Sequence, residues 1–596
     1  PTVYTLTIEK SGFEQAVFKD VNVTVGEVVP LNAKLAVGAT TTEINVNAIT
    51  EAPVETDTYQ LSTIIDTQAI NNLPLILRDP YQLVLLSPGV TSGTSASGVA
   101  VNGARERNNN FMLDGTDNND SGVPGQLAGA VGANPDTAAE FRVITNNFDA
   151  EFGRDTGAVI DVITKSGTNH IHGDAYWFGR YNALGARDWF NRKVNADGST
   201  SPQNPYVRNQ FGASLGGPIL KDRTFYFLNG EWQRFVTNLT DNITVPTAAF
   251  KAGVYTYTGA SGSQAVNLTN ANGNNNTGLG LDSFMANKIY PAFPLPQVSN
   301  GDGVSGLYFF PSESRQNSYQ LTGKIDHKLT DSEQLSLRYI YGRFSDPDSS
   351  HDEVLPGGIG ATGTTQTSHA GNIQLTSSIR ANLVNSLRGS YTLFSDKFYC
   401  GGLDQLNSIT GGTDAFGNSS FIELSSPFQS LGCIGLGESP GQGRLGKTGT
   451  VTDGLSWVKG GHSMKFGGEL RHISEDGADS FSAQQTLEFQ FLNDSGQFAA
   501  YNSPFALGTP DFTTFQNQIY QQEGVIDEQS QSQFYNKSQV RVGNDYRRFR
   551  QHEYGAYAQD SWKALPNLTL SYGLRWEFNG VPFDAQNNLS NLFVPA

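Results

Sequence analysis

The sequence predicts a mainly β fold: a partial transmembrane antiparallel β-barrel, about 11 of an expected ~22 strands, with a small α/β plug domain and a partial N-terminal β-sandwich. Composition is the first reason. Only 16% of the 596 residues are charged, while glycine reaches 65, Phe 36 and Tyr 23. That mixture starves helix surfaces of Lys and Glu and suits aromatic strands joined by Gly/Asn/Ser loops. The second reason is alternation, with one apolar and one polar face repeated over segments of strand length. The third is that the connections between these segments alternate between short and long. No run of about 18 apolar residues is present, so a transmembrane helix is excluded but transmembrane strands are not.

Residues 1–38 read as short alternating strands, with Val21, Val23 and Val25 in strict alternation. Residues 39–54 form a Thr-rich linker containing one strand-like hexamer, Glu43 to Ala48. Residues 55–168 read as a small α/β domain with long Gly/Asn loops; its two short helices stop near Pro74 and Pro88. From residue 169 to 596 the period-two texture takes over.

Eleven strands are expected there: 171–181, 207–219, 224–236, 318–328, 334–344, 369–379, 383–395, 448–458, 462–473, 551–563 and 567–579. In the last, Leu568, Leu570, Tyr572, Leu574, Trp576 and Phe578 share one face, opposite Thr569, Ser571, Gly573, Arg575 and Glu577. Short turns such as 221–223 and 459–461 alternate with long excursions at 237–317, 345–368, 396–447 and 474–550. Lipid outside and water inside explain such strands; short turns on one rim and long loops on the other mark an outer-membrane barrel. Eleven strands cannot close a bacterial barrel, which takes an even number, and an open edge would leave backbone groups unpaired in hydrocarbon, so the segment is expected to be the N-terminal half of a plugged barrel of ~22 strands. Pro1 opens in what reads as the middle of a domain and the end, NLFVPA, is no aromatic-ended strand, so a cut at both ends is expected.

The net charge of −18 disfavours a nucleic-acid partner. Cys400 and Cys433 lie in a glycine-rich stretch without metal spacing; they read as one disulfide in an exposed loop, or as two unpaired thiols. Three motifs that tempt an enzymatic reading lack their context. Gly212 to Gly216 has nucleophile-elbow spacing but sits inside an alternating strand. Gly441 to Gly446 has dinucleotide-fingerprint spacing without a βαβ unit, and His170 and His172 have no third ligand at useful spacing. No enzyme, cofactor or metal site is therefore expected.

Long ordered segments then carry a resemblance. INNLPLILRDPYQLVLLSPGV, VNGARERNNNFMLDGTDNND and AEFRVITNNFDAEFGRDTGAVIDVITKSGTNHIHGDAYWF lie in the plug block. NQFGASLGGPILKDRTFYFLNGEWQR and YGAYAQDSWKALPNLTLSYGLRWE lie in the barrel block. Together they resemble TonB-dependent outer-membrane transporters of the large Oar-like type, which carry a carboxypeptidase regulatory-like domain in front. LNAKLAVG is similar to the closing strand of that front domain. LPLILRDPYQ departs from the relatives' LPLNGR-type loop.

The resemblance implies a Gram-negative outer-membrane protein, surrounded by outer-membrane lipid, that takes up a scarce extracellular ligand with work supplied by the TonB complex of the inner membrane. It implies a TonB box ahead of the plug. Glu43, Ile44, Asn45, Val46, Asn47 and Ala48 fit in position and pattern, because β-augmentation needs a strand-competent segment. The same hexamer also reads as the last strand of the preceding sandwich. Arg105, Arg107, Asp114 and Asp117 are the expected plug–wall contacts, since a plug in a polar lumen needs a polar exterior. Ligand capture is expected at the long-loop rim. Residues 475–546 carry ten Asp/Glu against two Lys/Arg, interspersed with Phe481, Phe489, Phe491, Tyr501, Phe512, Tyr520, Phe534, Tyr535 and Tyr546, which reads either as a binding loop or as a solubilising surface. The alternative function is a surface adhesin or receptor that binds partners through these loops without transport.

Overall fold

The computed structural model describes residues 2–23, 35, 37, 43–47, 59–73, 75, 78–93, 98–123, 129–154, 156–186, 206–259, 262–269, 280–348, 354–413, 415, 419–433, 442–478, 485–489, 509–536, 538–542, 546–565 and 567–586. At the N-terminus β1 (Thr2–Ile8) pairs antiparallel with β2 (Gln15–Val23), and β3 (Glu43–Asn47) adds to β2 in parallel.

The plug is built on a mixed sheet of β4 (Leu61–Asp66), β5 (Asn110–Leu113), β6 (Thr116–Asp117), β7 (Ala138–Asn146) and β8 (Val159–Thr164), in the order β4-β7-β8-β5-β6. Only β8 and β5 run parallel; the other neighbours are antiparallel. The single helix α1 (Thr67–Asn72) starts where the Asp66 side chain accepts a hydrogen bond from the Ala69 amide. A 3-10 turn, Pro80–Leu86, is capped in the same way by Asp79. It delivers Tyr81 into the core, edge-on to Phe141 with ring centroids 5.0 Å apart, among buried Val84, Phe111, Leu113, Val143, Ile160 and Val162.

All eleven expected wall strands are present: β9 (His172–Tyr181), β10 (Tyr206–Leu220), β11 (Thr224–Pro246), β12 (Ser305–Lys328), β13 (Glu333–Asp346), β14 (Thr362–Arg380), β15 (Leu383–Cys400), β16 (Gly443–Lys459), β17 (His462–Ala478), β18 (Arg547–Leu565) and β19 (Leu568–Asn579). Each pairs antiparallel with the next, and the sheet stays open, because β9 and β19 do not pair with each other. The expected faces hold. Leu321, Ile325, Leu337, Leu470, Leu570 and Leu574 are exposed on the outer face, while Gln320, Lys324, Arg338, Arg471 and Arg575 turn inward to the plug.

Two expectations about the long loops are corrected. β11 runs ten residues past its expected end at 236, and β12 starts thirteen residues before 318, with Thr237 paired to Ser314 and Pro246 to Ser305. A strand needs only ~9–11 residues to cross a bilayer. The extra length therefore stands above the membrane, where neither face meets lipid and the apolar/polar alternation fades.

The second correction concerns residues 475–546. The four long excursions fold together into an ectodomain with its own core. Ile243, Phe250, Tyr255 and Phe293 come from the first, Val354 from the second, Leu406 and Phe428 from the third, and Phe489, Phe515 and Tyr520 from the fourth. Phe489 and Tyr520, expected on an aromatic loop, are thus core residues, while Phe481, Phe491 and Tyr501 lie outside the described residues. Cys400 and Cys433 are joined by a disulfide with a Cα–Cα distance of 5.8 Å, and Cys433 is buried in that core.

Candidate functional site

The seam between plug and wall is the candidate site. Its centre is the tight turn joining β5 to β6, which reverses through Asp114 (φ 51°) and Gly115 (φ 70°). Left-handed backbone at Asp114 is tolerated because Asp visits that region more readily than most residues. The turn aims two carboxylates at the wall.

Asp114 accepts hydrogen bonds from the Thr164 amide at 2.8 Å and from its hydroxyl at 2.9 Å, and pairs with Arg338 of β13 at 3.0 Å. Lys324 of β12 donates to the Thr164 carbonyl at 3.2 Å. Burial works to raise the Asp114 carboxyl, but Lys324 and Arg338 outweigh it and hold it below the usual carboxylate range. Asp117 pairs with Arg471 of β17 at 3.2 Å and with Arg154 of the plug at 3.1 Å. Burial opposes ionisation here too, and the two guanidiniums again win.

Around this centre the charges form a network. Arg471 pairs with Glu553 at 2.8 Å and contacts Glu469. Arg575 pairs with Glu577 at 2.6 Å and donates to the Glu151 carbonyl at 3.0 Å. Lys465 bridges Asp149 at 2.9 Å and Glu151 at 2.6 Å, and Arg444 reaches Asp120 at 2.9 Å. Burial would raise the Asp149 carboxyl; Lys465, with the Tyr59 hydroxyl, brings it down to about 2. Behind the seam Asp161 makes no ion pair among the described residues, and Arg388 and Arg142 only partly offset its burial. Burial is the main cause of its pKa being pushed up to about 7, and the Asp114 charge adds to it against a hydrogen bond from the Gly115 amide.

Most ion pairs across the seam run one way, from wall cations such as Arg338, Arg444, Lys465 and Arg471 to plug carboxylates Asp114, Asp117, Asp120, Asp149 and Glu151, with Lys324 and Arg575 donating to plug carbonyls; one runs the other way, from Arg154 of the plug to Glu553 of the wall at 3.8 Å. This accounts for two of the four expected contact residues. Asp114 and Asp117 face the wall cations. Arg105 and Arg107 sit exposed on the turn before β5, with no ion pair among the described residues. The wall cations themselves were legible only as polar-face residues; inward parity plus positive charge would have singled them out.

The seam also has a neutral part. Asn134 donates to Asn229 at 2.7 Å and to Gln320 at 3.1 Å. Ile340, Ala370 and Phe394 of the wall pack into the plug core. Above them, toward the long-loop rim, lies a cavity of about 360 Å³ between Tyr81 and Gly129–Asn134 of the plug and Gln210, Gln233, Gln320 and Gln366 of the wall.

The TonB-box candidate lies apart from this seam. Glu43–Asn47 is the edge strand of the N-terminal sheet, its register with β2 running from Gln15↔Glu43 to Lys19↔Asn47; Ala48 lies outside the described residues.

With this geometry in hand, the comparisons with known proteins are decisive for the family. The outer membrane beta barrel domain family matches residues 163–596. The chain belongs to that family. Its place is the outer membrane, and no helix among the described residues is long and apolar enough to cross a membrane. The chain is similar to the TonB-dependent transporter Oar of Myxococcus xanthus, 27% identical over 244 residues that make up 38% of this chain and 22% of that protein. Among solved structures it resembles the outer membrane transporter YddB of Escherichia coli, with a TM-score of 0.51 and 12% identity over 88% of this chain and 57% of that one. A mutant of the ferric enterobactin receptor of Pseudomonas aeruginosa gives a TM-score of 0.48 and 14% identity over 87% and 57%. The chain therefore spans well under two thirds of the relatives it matches.

Proposed function

We propose that the parent protein takes up a scarce extracellular ligand across the outer membrane by TonB-coupled, plug-gated active transport. The observation that carries this reading is the charged seam. A small domain sits in the concave face of a barrel wall and is held mainly by ion pairs and amide hydrogen bonds, with little apolar contact. Such a surface is rehydrated when it separates, so a pull on the plug need not expose a large area of grease. The cavity above Tyr81, lined by amides together with Arg78, Glu231, Arg343 and Phe344, gives a ligand arriving from the ectodomain side a place to rest before the plug shifts. The name of Oar supports TonB coupling. Glu43 to Ala48 is the segment to be pulled, since its edge position leaves a strand side for augmentation.

The test uses the full-length protein in its host. A strain lacking the gene is screened for growth on single iron or carbon sources and complemented with the intact gene or with one lacking codons 43–48. Growth rescued only by the intact gene is the expected result. Rescue by both removes coupling through this segment. A second reading, a surface receptor or adhesin, is favoured by the ectodomain, whose four loops share one packed core instead of standing as separate binding loops. A gene deletion that changes attachment and no uptake phenotype would choose it.

A further inference from the structure

The outer face of the wall carries a feature that neither the plug nor the transport reading uses. One register row crosses β12 to β18 as Gly323, Tyr339, Gly371, Tyr391, Gly449, His472 and His552, each paired with the next. Gly389 lies one row below, between Ile373 and Val451. Where the glycines fall, the surface sinks into an apolar groove of about 980 Å³ flanked by exposed Leu228, Tyr339, Ile373, Tyr391 and Val451. A Cβ at Gly323, Gly371 or Gly449 would meet nothing closer than 3.6 Å, so packing within the sheet does not demand glycine there. The space over them is open on the side that faces the bilayer.

The groove is slanted. Gly323 lies five residues from the short-turn end of β12 at Lys328, whereas His552 lies thirteen residues from the short-turn end of β18 at Leu565. The row thus climbs toward the long-loop rim as it crosses the strands. At roughly 4.8 Å per strand it covers about 24 Å from Gly323 to His472, enough to cross a leaflet of about 15 Å obliquely.

At its upper end the chemistry changes sign. His472 and His552 face each other with Nδ1 atoms 3.2 Å apart. The next paired row brings Lys447 and Arg550 to either side of Ser474, and Arg548 pairs with Asp476 in the row above. Lys447 and Arg550 share the Asp476 carboxylate, at 2.9 Å and 2.6 Å, and Asp584 accepts from the Arg548 amide at 3.1 Å, so three cations stand with two carboxylates. The patch keeps a positive excess on a chain whose net charge is −18.

From this juxtaposition we propose that the groove and the cationic patch together bind one anionic, phosphate-bearing lipid of the outer leaflet, acyl chain over the glycines and phosphate against Lys447, Arg548 and Arg550. Charge complementarity selects the headgroup, and the continuous apolar floor below it selects a lipid over a free anion. This site lies on the opposite side of the wall from the plug seam, so it stands or falls separately from transport.

The experiment uses the full-length protein in detergent, with lipid A carrying two phosphates, phosphatidylcholine and inorganic phosphate as probes, read by native mass spectrometry. The intact protein is expected to retain lipid A and not phosphatidylcholine. Gly371→Leu with Gly449→Leu fills the groove, and Lys447→Gln with Arg550→Gln empties the patch. Each pair is expected to weaken lipid A retention by about tenfold or more, the scale of one lost charge-assisted contact. The second pair sits at the rim, so it keeps the test valid if the first misfolds; heat-modifiable electrophoretic mobility reports folding. Equal retention of phosphatidylcholine, retention unchanged in a folded variant, or displacement of lipid A by inorganic phosphate would overturn the proposal.

Discussion

The ectodomain and the plug seam are both assemblies of distant chain segments, but different forces hold them. The ectodomain closes four excursions around a core that includes Phe250, Tyr290, Leu406, Phe515 and Ile519, and the Cys400–Cys433 disulfide closes a loop within the third of them. The seam closes a plug against eleven strands with carboxylates and guanidiniums, and its one apolar patch comprises Ile340, Ala370 and Phe394. Apolar burial is lost in proportion to the area exposed, at about 25 cal/mol per Å², so an assembly built on it is committed to one arrangement. A charged seam loses Coulomb energy on opening but regains hydration. On the transport reading, the seam and not the ectodomain is the joint that would move.

The largest expected effect comes from Arg471, where three carboxylates converge. Arg471→Ala leaves Asp117, Glu469 and Glu553 facing one another with Arg154 and Arg575 as the remaining cations. Removing one partner of a buried pair costs about 3–5 kcal/mol. Denaturant unfolding of the full-length protein should show that loss in the plug transition, with ectodomain protease resistance unchanged. A loss below about 1 kcal/mol would mean the seam is held by its apolar patch, and the contrast drawn above would fail.

Asp161 tests the same seam by pH. Burial pushes its pKa in the folded protein up to about 7, from an ordinary carboxylate value of 3.8. Below pH 3.8 both states hold the proton and there is no penalty. Between there and about 7 the unfolded chain has released the proton while the folded plug still binds it, so stability falls as pH rises and levels off above 7. Asp161→Asn should remove that slope, stabilising the plug at pH 8 by up to the order of 4 kcal/mol at ~1.4 kcal/mol per pH unit and leaving it unchanged near pH 3. A variant that keeps the wild-type pH slope would assign the slope to another group.

Reduction of the disulfide addresses the other joint. A closed loop with a sequence separation of 33 residues is worth roughly 3–4 kcal/mol, and the loss should appear in the ectodomain alone. Limited proteolysis of Cys400→Ser with Cys433→Ser is expected to cut within the long excursions while plug and wall fragments survive. Cleavage of the plug at the same rate would show that the two regions are one cooperative unit.

Much of this molecule was legible in its sequence because lipid on one side and a lumen on the other write a period of two into each strand. Leu568 to Phe578 shows it without interruption, and all eleven wall strands followed. The signal ended where its cause ends. Above the bilayer β11 and β12 continue through Asn238–Pro246 and Ser305–Glu313 without a lipid face, so nothing marked them. The ectodomain core was hidden for another reason: Tyr255, Leu406 and Phe515 come from separate excursions, and no local pattern says that such residues meet. At the seam, Asp114 and Asp117 were legible as plug exterior, but their partners Arg338 and Arg471 required the register of the wall.

The smallest expected effect is also the sharpest check on the direction in which most ion pairs of the seam run. Arg105 and Arg107 are exposed on the plug and face no carboxylate of the wall among the described residues. Arg105→Ala with Arg107→Ala should change stability by no more than about 0.5 kcal/mol, as expected for surface substitutions away from special features. Asp114→Ala, from the same stretch of sequence, leaves Arg338 buried without its 3.0 Å partner and Thr164 without its acceptor. The two variants differ in the sign of the charge removed and not in their distance from the wall strands along the chain. If both proved neutral, the carboxylates would be solvated loop charge. If both proved costly, Arg105 and Arg107 would need acidic partners of their own on the wall, as Arg154 has in Glu553, and the pairing of wall cations with plug carboxylates would not be the main tie across the seam.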